Sequence, residues 1–300
     1  MIQIQARTKP SLLKKGDLIN AIAVSSAIDN YEDFKAGIEV FESWGLICQD
    51  KNKIYSRWGY LAGSDQIRYQ NLHSKKTFPL IVFIRGGWGS ARLLERSQPW
   101  KKGWVLGYSD ASSILLSRLS AGFDGCIHGP MISSISKEPD WSKERLKDIL
   151  FGGPIPDLYG ETWKEGKAKG PLVAANLTVA SHLIGTSHMP DLNGAILVLE
   201  DISEEPYKID RMLTHWKLAG ILDNLSGLCF GRFINCEEQK DIPKTETFQL
   251  IDILKDRIKD LNIPIIADLP IGHCKGNASL PLGKQAMLDG KKGILRIISD

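Results

Sequence analysis

Apolar residues along this chain keep two rhythms. Short continuous runs at 18–24 (LINAIAV), 80–84 (LIVFI) and 104–106 (WVL) have the length and content of strands buried on both faces. Between the first two lies 31–45 (YEDFKAGIEVFESWG), with Phe34, Ile38, Phe41 and Trp44 at helical spacing. Gly45 supplies its stop, because a glycine accepts the left-handed backbone that ends many helices. Residues 110–119 place Ile114, Leu115, Leu116 and Leu119 on a helix face. Buried strands separated by helices predict a parallel α/β sheet for the first half.

From 151 to 170 the texture changes to FGGPIPDLYGETWKEGKAKG, rich in Gly, Pro and Lys, which reads as a linker or crossing segment. Beyond it the pattern predicts helices at 176–184, 207–218 and 248–261, and strands at 195–199, 225–233, 263–269 and 293–298. The expected organisation is an N-terminal α/β domain over 1–150, a linker over 151–170 and a C-terminal domain over 171–300.

Three hundred residues suit two domains of ordinary size. At 43% hydrophobic and 24% charged residues the composition is that of a globular protein, which excludes disordered, collagen-like and coiled-coil classes. The net charge is +3 and the basic residues are scattered, so charge gives no reason to expect nucleic acid or a membrane surface as partner. The opening residues lack an apolar stretch of signal-peptide length, and no run approaches a membrane span. The five cysteines (Cys48, Cys126, Cys229, Cys236 and Cys274) are scattered without a CxxC pair, which argues against a disulfide framework or a zinc site. A cytoplasmic protein without a metal or other cofactor is expected.

Candidate chemistry gathers at strand ends. WVLGYSDAS runs from a strand through Gly107-Tyr108-Ser109-Asp110-Ala111 into a helix. A serine on so sharp a turn needs small neighbours two positions away on either side, and Gly107 and Ala111 supply them, as in a nucleophile elbow. The alternative is a turn or N-cap serine before an ordinary helix. Arg85-Gly86-Gly87-Trp88-Gly89-Ser90 follows the LIVFI strand, at the end where sites gather in parallel sheets. Its glycines could present backbone N–H groups to an oxyanion, or simply form a tight turn. The loop has neither P-loop nor dinucleotide spacing. Of six histidines, His128 (in CIHGP) and His273 (in LPIGHCKGN) follow strand-like runs and remain open as a base. Glu200 and Asp201 end the apolar run AILVLE, where a buried carboxylate is costly unless paired.

The blocks RGGWGSARLLE, GYSDAS, LVLEDISEEPYKIDRML and LPIGHCKGNASLPLG, together with KKGDLINAIAVSSAID and WGYLAGSDQIRYQNL, resemble the LD-carboxypeptidases. That serine-peptidase family also includes the microcin C self-immunity proteins. The resemblance runs in order over nearly the whole chain. It implies a Ser-Glu-His triad at Ser109, Glu200 and His273, with an oxyanion hole from the N–H groups of Gly86 or Gly87 and Asp110. It also implies an N-terminal parallel α/β domain carrying the serine and a β-rich C-terminal domain carrying acid and base, with the active site between them. One departure stands out: where the family often has Gly-Gly-Asn-Leu, this chain has Ala174-Ala175-Asn176-Leu177, so helix entry or pocket shape near Asn176 is expected to differ.

The implied activity is release of the terminal D-alanine from a murein tetrapeptide in cell-wall recycling. Arg85 and Arg211 are candidates for the substrate carboxylate, each with a structural salt bridge as its alternative, and Asn176 is a further candidate for substrate binding. The rival readings are a same-fold hydrolase of peptidyl-nucleotides and a non-catalytic peptidoglycan-fragment binder. A homodimer is compatible with the sequence. Catalysis by Cys274 beside His273 is disfavoured, since adjacent side chains point apart.

Overall fold

A computed structural model describes residues 9–49, 56–238, 243 and 245–298. Residues 1–8, part of the stretch read above for a signal peptide, lie outside these. The described residues divide into two compact units. The first holds the chain up to Ile155, joined by Thr186–Pro190 and Lys275–Gly283. The second holds Pro156–Gly185, Asp191–Cys274 and the chain from Lys284 onward.

The first unit contains β1 (Leu18–Ile22), α1 (Tyr31–Ser43), β2 (Ile47–Gln49), α2 (Asp65–Leu72), β3 (Leu80–Phe83), β4 (Trp104–Gly107), α3 (Ser112–Ser120), β5 (Cys126–His128), α4 (Ile132–Ile135) and α5 (Asp140–Phe151). Its sheet runs β5-β4-β3-β1-β2, all parallel, with Leu280–Leu282 added antiparallel beside β5. From β1 the chain steps one way to β2 and then returns to the other side for β3. The carboxyl ends of β1 and β3 therefore flank a topological switch point, where such sheets open a crevice. Phe34, Ile38 and Phe41 of α1 are buried in this unit's core, and Gly45 takes a left-handed φ of 86° just past the helix. α3 is buried on every side from Ser112 to Leu119, so its apolar stripe understated its burial.

The second unit contains β6 (Leu158–Tyr159), β7 (Glu161–Lys164), β8 (Lys167–Asn176), α6 (Leu177–Ser181), β9 (Ile196–Ile202), α7 (Pro206–Leu218), β10 (Gly227–Ile234), α8 (Leu250–Ile258) and β11 (Ile265–Ala267). After β12, the Leu280–Leu282 strand of the first unit, come β13 (Gln285–Asp289) and β14 (Ile294–Ile297). The sheet order is β6-β14-β13-β8-β9-β10-β11-β7, with β8 to β11 parallel. Its two edge strands are consecutive in the chain, β6 pairing with β14 and β7 with β11. The sheet thus curls back on itself through Gly160, whose N–H donates to the Gly293 carbonyl at 2.9 Å. Closure of this kind hides strand edges.

The segment expected as a linker, 151–170, holds more regular structure than its composition suggested. Its first residues, 152–157, carry no strand and include the boundary between the two units, but from Leu158 onward the segment is mostly paired strand: β6, β7 and the start of β8. Lys167 and Lys169 alternate outward along β8 against Ala168 and Gly170, so a strand face was hidden behind a lysine-rich composition.

Candidate active site

Ser109 stands where β4 turns toward α3. Its φ of 61° is left-handed, a rare and costly state for a residue with a side chain, worth about 1–3 kcal/mol of strain. The small residues around it are required by geometry. A Cβ on Gly107 would fall 2.9 Å from the Ala111 Cβ and 2.6 Å from the Phe83 ring. A Cβ on Gly86 would fall 2.8 Å from Ser109 Oγ, so the glycine backbone of the loop after β3 lies directly against the hydroxyl. Gly87 has a φ of 106° and packs on Ser26, and the Ser26 Oγ accepts from the Trp88 N–H at 3.2 Å. The elbow, the glycine loop and the end of β1 therefore meet in one corner of the first unit. Asp110, the next residue, is buried. Burial holds its carboxyl above the usual range, against hydrogen bonds from Ser25 and Ser90 that pull it down.

In the second unit, β9 carries Glu200 and Asp201 at its end. Glu200 is fully buried, and its Oε2 lies 2.8 Å from Nδ1 of His273. With the proton on Nδ1 donated to the carboxylate, the ring takes the tautomer whose Nε2 bears the lone pair, as a general base requires. Two glycines make room for the pair. Gly272 has a φ of 109°, and a Cβ there would fall 2.5 Å from Glu200 Oε2. At Gly231 a Cβ would meet the Ile271 carbonyl at 2.6 Å and the Glu200 Cβ at 3.2 Å. Asp201 is spent locally. It accepts from Asn176 Nδ2, from the Thr178 N–H and hydroxyl, and from the Ile202 N–H, at 2.8–2.9 Å. Burial, reinforced by the Glu200 charge, pushes its carboxyl up to about 6.

Of the three candidate substrate contacts, Arg85 and Asn176 make polar bonds within their own units, and Arg211 lies over an aromatic ring. Arg85 donates to the Ala27 carbonyl at 3.0 Å and forms an ion pair with Asp29. Asn176 is buried, caps α6 by accepting from the Val179 N–H at 3.0 Å, and binds Asp201. The two alanines before it are buried in β8, and helix entry is intact. Arg211 is exposed on α7, its guanidinium 5.7 Å from the centroid of the Tyr207 ring. His128 is buried in β5, beside Gly107 of β4, with its ring 5.9 Å from that of Tyr108. The sequence reading missed Ser25 and Ser90 as partners of Asp110; the signal available was that both follow strands of a parallel sheet. Among the described residues no three His, Cys, Asp or Glu side chains cluster as metal ligands.

Comparison with known proteins shows the family. Residues 19–129 match the LD-carboxypeptidase N-terminal domain, and residues 169–288 match the LD-carboxypeptidase C-terminal domain. The chain belongs to the LD-carboxypeptidase family. It is 42% identical to a putative carboxypeptidase of Synechocystis over 97% of each chain. It is 30% identical to the murein tetrapeptide carboxypeptidase of Pseudomonas aeruginosa, over 90% of this chain and 92% of the relative. The crystal structure of the muramoyltetrapeptide carboxypeptidase of Oxalobacter formigenes superposes with a TM-score of 0.81 at 25% identity, over 93% of this chain and 97% of that one. The LD-carboxypeptidase family fold, a parallel α/β sheet with a second sheet, is the fold found here. Among the described residues no helix is long and apolar enough to cross a membrane.

Proposed function

We propose that this chain is a serine-type LD-carboxypeptidase that removes the terminal D-alanine of a murein tetrapeptide. The observation that carries the reading is Ser109, held left-handed at the end of β4 with the Gly86 backbone against its hydroxyl. Strain of this kind persists where a nucleophile must be presented. The Glu200–His273 pair supports it by supplying an oriented base.

In the proposed reaction Ser109 Oγ attacks the carbonyl carbon of the amide that joins an L-centre to D-alanine. His273 Nε2 accepts the serine proton, and Glu200 stabilises the imidazolium. The N–H groups of Gly86 or Gly87 and of Asp110 bind the oxyanion, each such donor being worth about 10²–10³ in rate. Collapse breaks the C–N bond, and the imidazolium protonates the departing amine of D-alanine. Water, deprotonated by His273, then hydrolyses the acyl-serine and frees the tripeptide. Incubation with a tetrapeptide should yield tripeptide and D-alanine, and the yield should survive EDTA. A reaction lost to chelator and restored by zinc would contradict the serine chemistry.

A second reading, hydrolysis of a peptidyl-nucleotide, is favoured by one observation. Trp58, Tyr60 and Trp88 are exposed on loops fastened to the end of β1, where a base could stack. Faster turnover of an aminoacyl-nucleotide than of tetrapeptide would select it.

A further inference from the structure

Asp110 does more in this fold than carry a backbone N–H. Its side chain is 1% exposed and collects donors from two other segments. Oδ2 accepts from the Ser25 hydroxyl at 2.5 Å and from the Ser90 N–H at 2.9 Å. The Asp110 carbonyl in turn accepts from the Ser90 hydroxyl at 2.6 Å and from the Ser113 hydroxyl at 3.2 Å. Ser90 and Ser113 share a further hydrogen bond at 2.6 Å. Ser25 follows β1, Gly89 and Ser90 end the loop after β3, and Asp110 follows β4. One carboxylate therefore ties together the ends of the three adjacent strands at the switch point. Helix capping does not explain the acid, because the donors to its carboxyl, Ser25 and Ser90, lie on the segments after β1 and β3.

A buried acid is costly where a neutral residue would serve, unless fixed donors are organised around it. What these donors organise is the relation between two backbones. Gly86 lies against Ser109 Oγ, but nothing covalent within twenty residues holds its loop to the elbow. The Ser90 end of that loop is the part that reaches Asp110. We propose that Asp110 is a positioning residue whose carboxylate locks the Gly86–Ser90 loop to the elbow. The lock keeps the Gly86 or Gly87 N–H and the Asp110 N–H aimed at one point beside Ser109. The catalytic consequence rests on the function proposed above, whereas the lock itself is a property of the first unit.

The test pairs crystallography with kinetics on the full-length protein. In Asp110→Ala the loop should shift away from Ser109. kcat for D-alanine release should fall about 10²-fold, the scale of a lost oxyanion donor, with KM changed less than about threefold. Asp110→Asn keeps an acceptor oxygen and should retain activity within about tenfold. Ser25→Ala removes one donor to the same oxygen and should give a smaller fall in kcat. It also serves as the test should Asp110→Ala fail to fold. Adding Ser25→Ala to Asp110→Ala should cost nothing further. An Asp110→Ala crystal with the loop and Ser109 unmoved overturns the proposal. So does a variant that melts earlier but keeps its kcat. If the wild-type protein releases no D-alanine, the functional reading falls, and the crystal alone decides the lock.

Discussion

At the scale of single residues, the site is defined as much by absent side chains as by reactive ones. Gly272 must be glycine twice over, for its φ of 109° and because a Cβ would sit 2.5 Å from Glu200 Oε2. Gly272→Ala should displace the Glu200–His273 pair and lower kcat by about 10²-fold, the scale of an ångström misplacement. Steady-state kinetics beside a melting curve checks this; unchanged kcat would free Gly272 of the role. Ser109→Ala, Glu200→Ala and His273→Ala should each remove most D-alanine release and leave the fold intact. Because a triad works as a unit, the double variants should be scarcely worse than the worst single. Additive losses would show that the three act separately.

At the scale of elements, the entry to α6 is held by a buried amide. Asn176 follows Ala174-Ala175, the pair that stands where the family often has two glycines. Its buried side chain caps the helix and donates to Asp201. Asn176→Ala should cost about 1–2 kcal/mol in chemical denaturation, as lost caps do. Asp201 beside it predicts a pH effect. Its carboxyl is raised to about 6 in the folded protein, against an ordinary value near 3.8. The folded state therefore holds a proton that the unfolded chain has released. Stability from this group is full below about pH 4, falls as pH rises toward 6, and is flat above. The drop is on the order of 3 kcal/mol, and Asp201→Asn should abolish its slope. A wild-type stability that rises from pH 4 to 6, with no change of slope in Asp201→Asn, would contradict the assignment.

The elements that were legible were those with a single strong rhythm: β1, β3, β4, α1 and α7 lie where apolar spacing put them. β6 and β7 were not legible because they are only two and four residues long, and the start of β8 because its outward positions are Lys167 and Lys169. α5 went unread because its buried Leu146, Ile149 and Leu150 stand among charged residues. The elbow was readable because its requirement for small neighbours is local in sequence. Ser25 and Ser90 were not, since their tie to Asp110 spans 85 and 20 positions.

At the scale of the whole molecule, the central claim is that this chain cuts one bond, between an L-centre and a terminal D-alanine. Recognition of that end requires the free carboxylate and the D-centre together. An amidated terminus should then be a poor substrate, losing about 1–3 kcal/mol or more where the charge-assisted bond goes unmade. Arg85 is committed to Asp29, so the search for the carboxylate's partner begins with Arg211. Arg211→Ala should raise KM for the tetrapeptide if that guanidinium is the receptor. The most direct measurement of the claim is mass spectrometry of a murein tetrapeptide and the corresponding pentapeptide, each incubated with the protein. Tetrapeptide converted to tripeptide plus D-alanine, with the pentapeptide and its D-Ala–D-Ala end left intact, is the predicted result. Equal cleavage of both, or no cleavage of the tetrapeptide, would contradict it.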